Sequence, residues 1–531
     1  MMERLTPMDT VRVLVTDPFE KEGVSLLRQA GFQVDEVGKL SPERLAEVIP
    51  GYDCLIVRSG TKVTAEAIRK GNRLKIIGRA GVGLDNIDIK EATACGVIVM
   101  NAPEGNTVSA AEHAVGMMFA LARRIPMACS SVKSGKWERN KFVGTELYGK
   151  TLGIVGFGRI GRHVAKIGKA LGMRVLVHDP YVPGRDAEAM EVGFVSLEAL
   201  LKQADVITFH LPLTEETKGL IGPAQFEQMK DGVMLVNCAR GGIIDEGALA
   251  DALKKGKVGG VALDVFEKEP PEGCPLLSSD AVVATPHLGA STKEAQVNVA
   301  VQLAQQIVDA LTRRVVRNAV NFPALDEPTL EKLRGYHSLG EKLGSFLRQL
   351  AGKPKEIHIQ YAGEITQYDL TLLRNHIIVG CLGREERVNI VNAPLVLKEK
   401  GAALTERYET KAEEFATLIT VEVKGTRKVS AAGTLIRNRE ERVVRIDDLP
   451  VEVALKGHLL VYQNDDVPGV IGRVGTVLGR AGVNIASMTL GRRKKGGGAV
   501  TVLNLDQRPD ERTVREIEKL QAIRSVDLVS L

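Results

Sequence analysis

Cysteine is scarce in this chain, and long apolar runs are missing. The six cysteines (Cys54, Cys95, Cys129, Cys238, Cys274 and Cys381) are scattered, with no C-x-x-C pair and no histidine at metal-ligand spacing. That pattern argues against a disulfide framework and a zinc site and for a reducing compartment. No uninterrupted apolar stretch reaches the roughly 18 residues of a membrane span, and Met1 to Thr6 lack the apolar core of a signal peptide. The expectation is a cytoplasmic protein with no metal and no membrane partner. Neither sign of charge dominates: Lys plus Arg exceed Asp plus Glu by 71 − 66 = 5 over 531 residues. The excess is spread along the chain, so no nucleic-acid partner is implied.

What is present is an ordinary globular balance, 44% apolar and 26% charged, with room for three or four domains at roughly 150 residues each. From residue 11 to about 315, short β-branched runs alternate with helical segments, the pattern of parallel α/β sheets. A first series comprises Val11 to Val15, Cys54 to Val57, Leu74 to Ile77 and Val97 to Met100. An apolar helix near Val108 to Arg124 leads to a second series: Leu152 to Val155, Val175 to His178, Val206 to Phe209, Met234 to Asn237, Val261 to Asp264 and Val282 to Thr285. A helix over about Thr292 to Leu311 follows, and Asn321-Phe322-Pro323 reads as a boundary. Residues 325 to about 455 mix helix and strand without a chemical motif. The segment Gly457 to Leu531 reads as β-α-β-β-α-β, with Gly496-Gly497-Gly498 as its central hairpin turn.

One motif carries chemistry. Gly156-Phe157-Gly158-Arg159-Ile160-Gly161 follows an apolar strand and opens a helix, and the next strand ends in Asp179, 18 residues past Gly161. In a dinucleotide site the first glycine allows the tight turn, the second lets backbone approach the pyrophosphate, and the third lets helix pack on strand. The helix N-terminus then faces the negative charge. An acid at 179 can accept from the adenosine ribose hydroxyls and would repel a 2′-phosphate, which points to NAD. The alternative is that Asp179-Pro180 only ends a strand.

Ligands in open α/β sheets bind outside the carboxyl ends of the strands. The residues there are Asp179, His210, the run Cys238-Ala239-Arg240, Asp264 and His287. Arg240, followed by Gly241-Gly242, can hold a carboxylate bidentately, or it can be a surface arginine at a helix start. His287 is a candidate acid/base, although a lone strand-end histidine is more often structural. Glu269 could orient that imidazole if the fold joins them, and is otherwise a loop acid.

Together these stretches resemble the D-isomer-specific 2-hydroxyacid dehydrogenase family over about residues 10 to 320. The matching stretches are Gly153 to Gly161, Val236 to Gly242, Leu263 to Pro270 and Thr285 to Gly289. The resemblance implies a catalytic trio of Arg240, Glu269 and His287, with hydride transfer between C2 of a 2-hydroxy acid and NAD. It also implies NAD contacts from Gly156, Gly158, Arg159, Ile160, Asp179, His210, Leu211, Pro212, Cys238, Ala239, Arg240, Asp264, His287, Gly289 and Ala290.

Val57-Arg58-Ser59-Gly60, Arg79 to Asn86 and Asn101 to Asn106 look like the phosphoglycerate dehydrogenase subgroup of that family. This implies oxidation of 3-phosphoglycerate, the entry to serine synthesis. Ser59, Gly60, Val82, Gly83 and Asn106 would cradle the substrate, and Arg58 and Arg79 would make the pocket basic. Arg139 would act on the partner subunit's site. The tail resembles an ACT domain through Asp466 to Val470 and Ala481 to Ile485, and Gly383 to Pro394 resembles the extra domain of long members. Asn464, Asp466 and Asn484 would be the regulatory residues for a serine effector, with Asn464 standing where relatives use His or Tyr.

The expected fold is α/β. It has a flavodoxin-like substrate domain (1–106 and 300–324), a Rossmann-type NAD domain (107–299), an α+β intervening domain (325–456) and a βαββαβ ACT domain (457–531). The expected assembly is a homodimer or homotetramer. The alternatives are another D-2-hydroxyacid dehydrogenase, such as a glyoxylate/hydroxypyruvate reductase, and a non-catalytic NAD-sensing scaffold.

Overall fold

A computed structural model describes residues 11–383, 388–412, 414–437 and 440–531. The start, Met1 to Thr10, and Arg384 to Arg387 within the Gly383 to Pro394 stretch lie outside the described residues. The first sheet contains β1 (Arg12–Val15), β2 (Gln33–Glu36), β3 (Cys54–Val57), β4 (Ile76–Arg79) and β5 (Ile98–Asn101). Its order is β2-β1-β3-β4-β5 and every pairing is parallel, the flavodoxin-like arrangement. Sequence patterning overlooked β2 because this edge strand, Gln33-Val34-Asp35-Glu36, buries only Val34 and has no apolar run. β4 lies two residues later than expected, which puts Arg79 at its carboxyl end.

The helix Lys293–Val308, capped by the Thr292 hydroxyl accepting from Ala295 N–H, lays Val299, Leu303, Ala304 and Ile307 on this sheet. A Cβ at Gly78 would stand 3.1 Å from both Leu303 and Ile307, so β4 passes tightly beneath it. The chain then hooks onto β5: Ala319 bridges Met100, and Asn321 accepts from Val99 N–H and donates to Val97 O.

The second sheet holds β6 (Thr151–Val155), β7 (Arg174–His178), β8 (Gly193–Phe194), β9 (Val206–Phe209), β10 (Val233–Asn237), β11 (Val258–Leu263) and β12 (Val282–Ala284). The order β12-β11-β10-β9-β6-β7-β8, parallel throughout, is doubly wound. The strand order reverses between β6 and β9, and this opens a crevice at their carboxyl ends. β6 is buried along its whole length, as a strand covered on both faces must be. Two-residue β8 is too short to leave a sequence signal.

A third sheet contains β13 (Glu356–Gly363), β14 (Ala403–Glu409), β15 (Thr417–Lys424), β16 (Lys428–Ile436), β17 (Glu440–Ile446) and β18 (Leu449–Ala454), in the order β14-β13-β15-β16-β17-β18. The helices Glu327–Ala351 and Thr371–Leu382 meet beside it through glycines. A Cβ at Gly344 would fall 2.3 Å from Ile377 O, and one at Gly380 would fall 2.1 Å from Glu341 O. The fourth sheet, β19 (His458–Asp465), β20 (Ile485–Arg492), β21 (Gly498–Leu505) and β22 (Ile523–Ser530), has the order β20-β21-β19-β22. One of its faces carries the helices Val470–Arg480 and Glu511–Glu518. The other contributes Leu459, Val461, Val500, Val502 and Val529 to the core of the third sheet, alongside Leu347 and Phe346. The two C-terminal sheets therefore share one apolar core.

His337 is buried in this block with Nε2 unpaired, its ring stacked on His376 at 5.1 Å between centroids. Burial, then the charge of His376, pushes its imidazole down to about 3. Between that value and the ordinary histidine value of about 6.5, the unfolded chain binds a proton that the folded chain does not, so stability falls as pH drops through this window. Calorimetric unfolding between pH 7 and 5 should show a falling Tm for the C-terminal block. A His337→Phe variant should flatten that slope, and an unchanged slope would refute the assignment.

Candidate active site

At the end of β6 the backbone turns at Gly156 with φ +96, where a Cβ would meet His210 O at 2.3 Å. A Cβ at Gly161 would strike Gly156 O at 2.1 Å, so the helix Arg159–Ala170 lies directly on the turn. Gly158, the N-cap, has nothing within 4 Å of a notional Cβ. That open side over a helix N-terminus fits a pyrophosphate.

Asp179 ties the turn to the end of β7: Oδ2 accepts from Phe157 N–H at 2.8 Å, and Oδ1 accepts from Tyr181 and Val182 N–H. Next to it His178, Asp179, Pro180, Val182, Phe194, Val195 and Ser196 line a cleft of about 370 Å³, where an adenosine end fits. The residues from 194 to 196 escaped sequence reading together with β8. Arg159 is exposed and pairs with Glu104 at 3.3 Å, while Ile160 packs into the core behind the turn. His210 N–H donates to Val155 O, and burial pushes its imidazole down to about 4, leaving it neutral near pH 7. Leu211 packs on the sheet, and Pro212 O accepts from the Thr217 hydroxyl.

Asp264, wholly buried just past β11, organises the other end of the crevice. Its Oδ1 accepts from the Thr285 hydroxyl at 2.6 Å and Leu288 N–H at 2.7 Å, and Oδ2 accepts from Gly289 N–H at 2.8 Å. His113 Nε2, from the helix Thr107–Ala122, lies 3.2 Å from Oδ1. Burial raises the carboxyl, but the bonds from His113, Thr285 and Leu288 outweigh it, and the group sits below the ordinary aspartate value.

The turn so gripped carries His287, whose own N–H donates to Asp264 O and whose φ is +57. Such a conformation in a non-glycine residue costs on the order of 1–3 kcal/mol and is typical of functional sites. His287 Nδ1 stands 2.9 Å from Glu269 Oε2, and Glu269 Oε1 accepts from Phe266 N–H. Both line a cleft of about 560 Å³ with Asp264, Phe266, Pro270, Leu277 and Thr285. A histidine oriented through Nδ1 offers Nε2 to a substrate proton.

Cys238 and Ala239 follow β10. Burial, then the charge of Asp264, pushes the Cys238 thiol up, and Asn237 braces the loop by accepting from Ala239 N–H and donating to Arg240 O. His113, Cys238 and Asp264 bring ligand-type atoms within 4.8 Å of one another. Both Asp264 oxygens already accept hydrogen bonds from the protein. Ala290 is half-buried beside Gly289.

Arg240 reaches out of the second sheet to the first. A Cβ at Gly83 would meet its Nη2 at 2.1 Å, and its Nε lies 3.5 Å from Asp85. Arg79 is nearby: burial, then the charges of Arg240 and Arg58, pushes it down to about 10, and its buried Nε has no partner. Three guanidinium groups, one with an unsatisfied donor, concentrate positive charge here.

The loop bearing Arg58, Ser59 and Gly60 is clamped on both sides. Buried Asp17 accepts from Arg58 N–H at 2.6 Å, Thr61 N–H and the Thr61 hydroxyl, while Asn86 Nδ2 donates to Arg58 O and Thr61 O. Asn101 Nδ2 donates to Val82 O and steadies the second cradle loop. Sequence reading missed Asp17, although an acid two residues past the first strand, at its carboxyl end, was a usable signal. Asn106 heads the helix Thr107–Ala122 with its Oδ1 buried and unpaired.

Other expected residues lie apart from this cluster. Arg139 sits in the exposed turn Arg139–Phe142, and none of the site hydrogen bonds described above involves it. Asn464 is buried, its Oδ1 accepting from the Thr501 hydroxyl and its Nδ2 donating to Asp465 O, so its polar atoms are spent inside the sheet. Asp466 accepts from Arg492 and Gly496 N–H across the glycine hairpin, and Asn484 Nδ2 donates to Asp506.

Residues 115–289 match the model for the D-isomer specific 2-hydroxyacid dehydrogenase NAD binding domain. Residues 332–447 match the D-3-phosphoglycerate dehydrogenase intervening domain, and 458–522 match the ACT domain. The chain is 44% identical over 525 residues to D-3-phosphoglycerate dehydrogenase of Synechocystis sp., covering 98% of this chain and 95% of that one. It is also 44% identical to the enzyme of that name from Archaeoglobus fulgidus, covering 98% and 100%. Among solved structures, D-lactate dehydrogenase from Aquifex aeolicus complexed with NAD and lactic acid superposes with TM-score 0.52 at 30% identity, over 59% of this chain and all of that one. The apo D-lactate dehydrogenase of Escherichia coli gives 0.53 at 30% over 58% of this chain and all of that one. The chain is an NAD-dependent dehydrogenase and belongs to the D-3-phosphoglycerate dehydrogenase family, a branch of the D-isomer-specific 2-hydroxyacid dehydrogenases.

Proposed function

We propose that this chain oxidises D-3-phosphoglycerate to 3-phosphohydroxypyruvate, the first step of serine synthesis, in the cytoplasm. The observation that carries the reading is the joining of the His287–Glu269 pair, on one sheet edge with Arg240, to the positive cluster at Arg58 and Arg79 on the first lobe. His287 Nε2 takes the C2 hydroxyl proton while Glu269 steadies the imidazole through Nδ1. Arg240 holds the carboxylate and polarises the C2 oxygen, and Arg58 and Arg79 supply positive charge for the phosphate. Ser59, Gly60, Val82, Gly83 and Asn106 complete the cradle. Bound NAD supplies the hydride acceptor. Asp264, Cys238, Ala239, Gly289 and Ala290 would hold its nicotinamide end, and Gly156 to Ile160 with Asp179 would hold its adenosine side.

The active assembly is a homodimer or homotetramer paired along residues 107–150. Trp137, Val143 and Tyr148 are each more than 70% exposed there, and an apolar surface of this kind supports pairing. Arg139 would then reach the neighbouring site. Serine is the candidate effector of the ACT domain. With Asn464 buried, recognition would rest on Asp466 and Asn484. The six free thiols agree with a reducing compartment.

Initial rates of NADH formation with D-3-phosphoglycerate, D-glycerate and D-lactate should favour the phosphorylated acid, and preference for either of the others would sink the substrate assignment. His287→Ala should lower kcat by about 10²- to 10⁴-fold with NAD affinity unchanged; an unaltered rate would remove His287 from the chemistry. Asp17→Ala unclamps the Arg58–Thr61 loop. Loss of charged hydrogen bonds worth about 1.5–3 kcal/mol each should raise KM for the acid at least about tenfold while NAD binding holds. An unchanged KM would rule out the clamp.

A further inference from the structure

We infer that His113 is a positioning residue for the reaction, acting on His287 through Asp264. This rests on the assignment of His287 as the acid/base given above. The site's strained turn depends on one carboxylate: Asp264 takes Leu288 and Gly289 N–H on its side chain and His287 N–H on its backbone oxygen. Those three consecutive donors hold φ +57 at His287 and so aim its ring at Glu269. A wholly buried carboxylate can hold the Leu288 and Gly289 donors this strongly only while ionised.

His113 supplies the remaining donor. Thr285 gives its hydroxyl proton to Asp264, so the Thr285 oxygen, 3.3 Å from His113 Nε2, acts there as an acceptor. The same Nε2 is 3.2 Å from Asp264 Oδ1. Two acceptors converge on one ring nitrogen, and this requires a proton on Nε2. Among the described residues Cys238, from the end of β10, also brings its thiol close to Asp264, and His287 meets Asp264 through its backbone N–H.

His113 comes from the helix Thr107–Ala122, which lies outside the sheet edge that bears the trio and in the segment assigned above to subunit pairing. The reacting imidazole is thus positioned by a donor on a different element, two hydrogen bonds away.

The test compares His113→Leu, which lacks the donor, with His113→Gln, whose amide nitrogen can stand near the Nε2 position, in the full-length enzyme. His113→Leu should lower kcat about 10- to 100-fold, the range expected of a misplaced reacting group, with KM for the acid within about twofold. His113→Gln should recover most of the loss. Rates of Leu equal to wild type, or of Gln equal to Leu with both folded by circular dichroism, would overturn the inference.

A second readout needs no substrate. In ¹⁵N-histidine spectra of the NADH-bound enzyme, with His287→Ala identifying the signal, His113→Leu should shift the His287 Nδ1 resonance and His113→Gln should restore it. If wild type does not oxidise 3-phosphoglycerate, the substrate reading fails while this spectrum still decides the role of His113; an unmoved resonance in His113→Leu would overturn it.

Discussion

Arg240, Arg79 and Arg58 come together where the two N-terminal lobes face each other, and they repel. Arg79, largely buried, is pushed down by its burial and then by the charges of Arg240 and Arg58. Asp85 meets Arg240 across the gap, and Asp17 lies behind the Arg58 loop. These acids soften the repulsion without using every donor, since Arg79 Nε remains unpaired. An anion entering the gap would relieve a cost already built into the fold. A neutral molecule of similar shape would leave the guanidinium groups opposed.

Each lobe must then present its loops rigidly. In the first, Asp17 and Asn86 hold opposite polar edges of one loop, one accepting its N–H groups and the other donating to its carbonyls. In the second, Asp264 does the equivalent for the turn of His287. Both acids are buried at the carboxyl end of a parallel strand, and both use their charge on backbone donors. Through these backbone bonds the two acids fix the geometry on which the arginines and His287 depend.

Much of this was legible in the sequence because it is local. The glycine turn at 156–161 and the strand-end series from Asp179 to His287 depend on residues adjacent in the chain. The sheet-end rule then gathers them in one crevice. Arg240, Glu269 and His287 were legible as a unit only through family resemblance, since a 2.9 Å contact across 18 residues has no periodic signature. Polar β2 and two-residue β8 carried no apolar pattern. Asp17, His113 and Thr285 act through contacts spanning 21 to 172 residues of sequence, so single-residue reading had no means of pairing them.

The C-terminal half illustrates the same point with opposite consequences. Its two sheets read as separate domains because each has its own strand pattern. Yet Val461, Val500 and Val502 face the third sheet, and an alternating strand does not reveal which partner its apolar face will meet. A shared core makes the pair a single mechanical block. Asn389 and Asn392 extend that block to the substrate lobe by donating to Gly96 O and Ala94 O, at the end of the helix Ile89–Ala94. The other end of that helix follows directly on Asp85 and Asn86, which touch Arg240 and the Arg58 loop. A ligand acts at a distance only through contacts that differ between states. Any rearrangement of the C-terminal block must either carry the helix Ile89–Ala94 with it or break two asparagine hydrogen bonds, and the arginine cluster sits at that helix's far end.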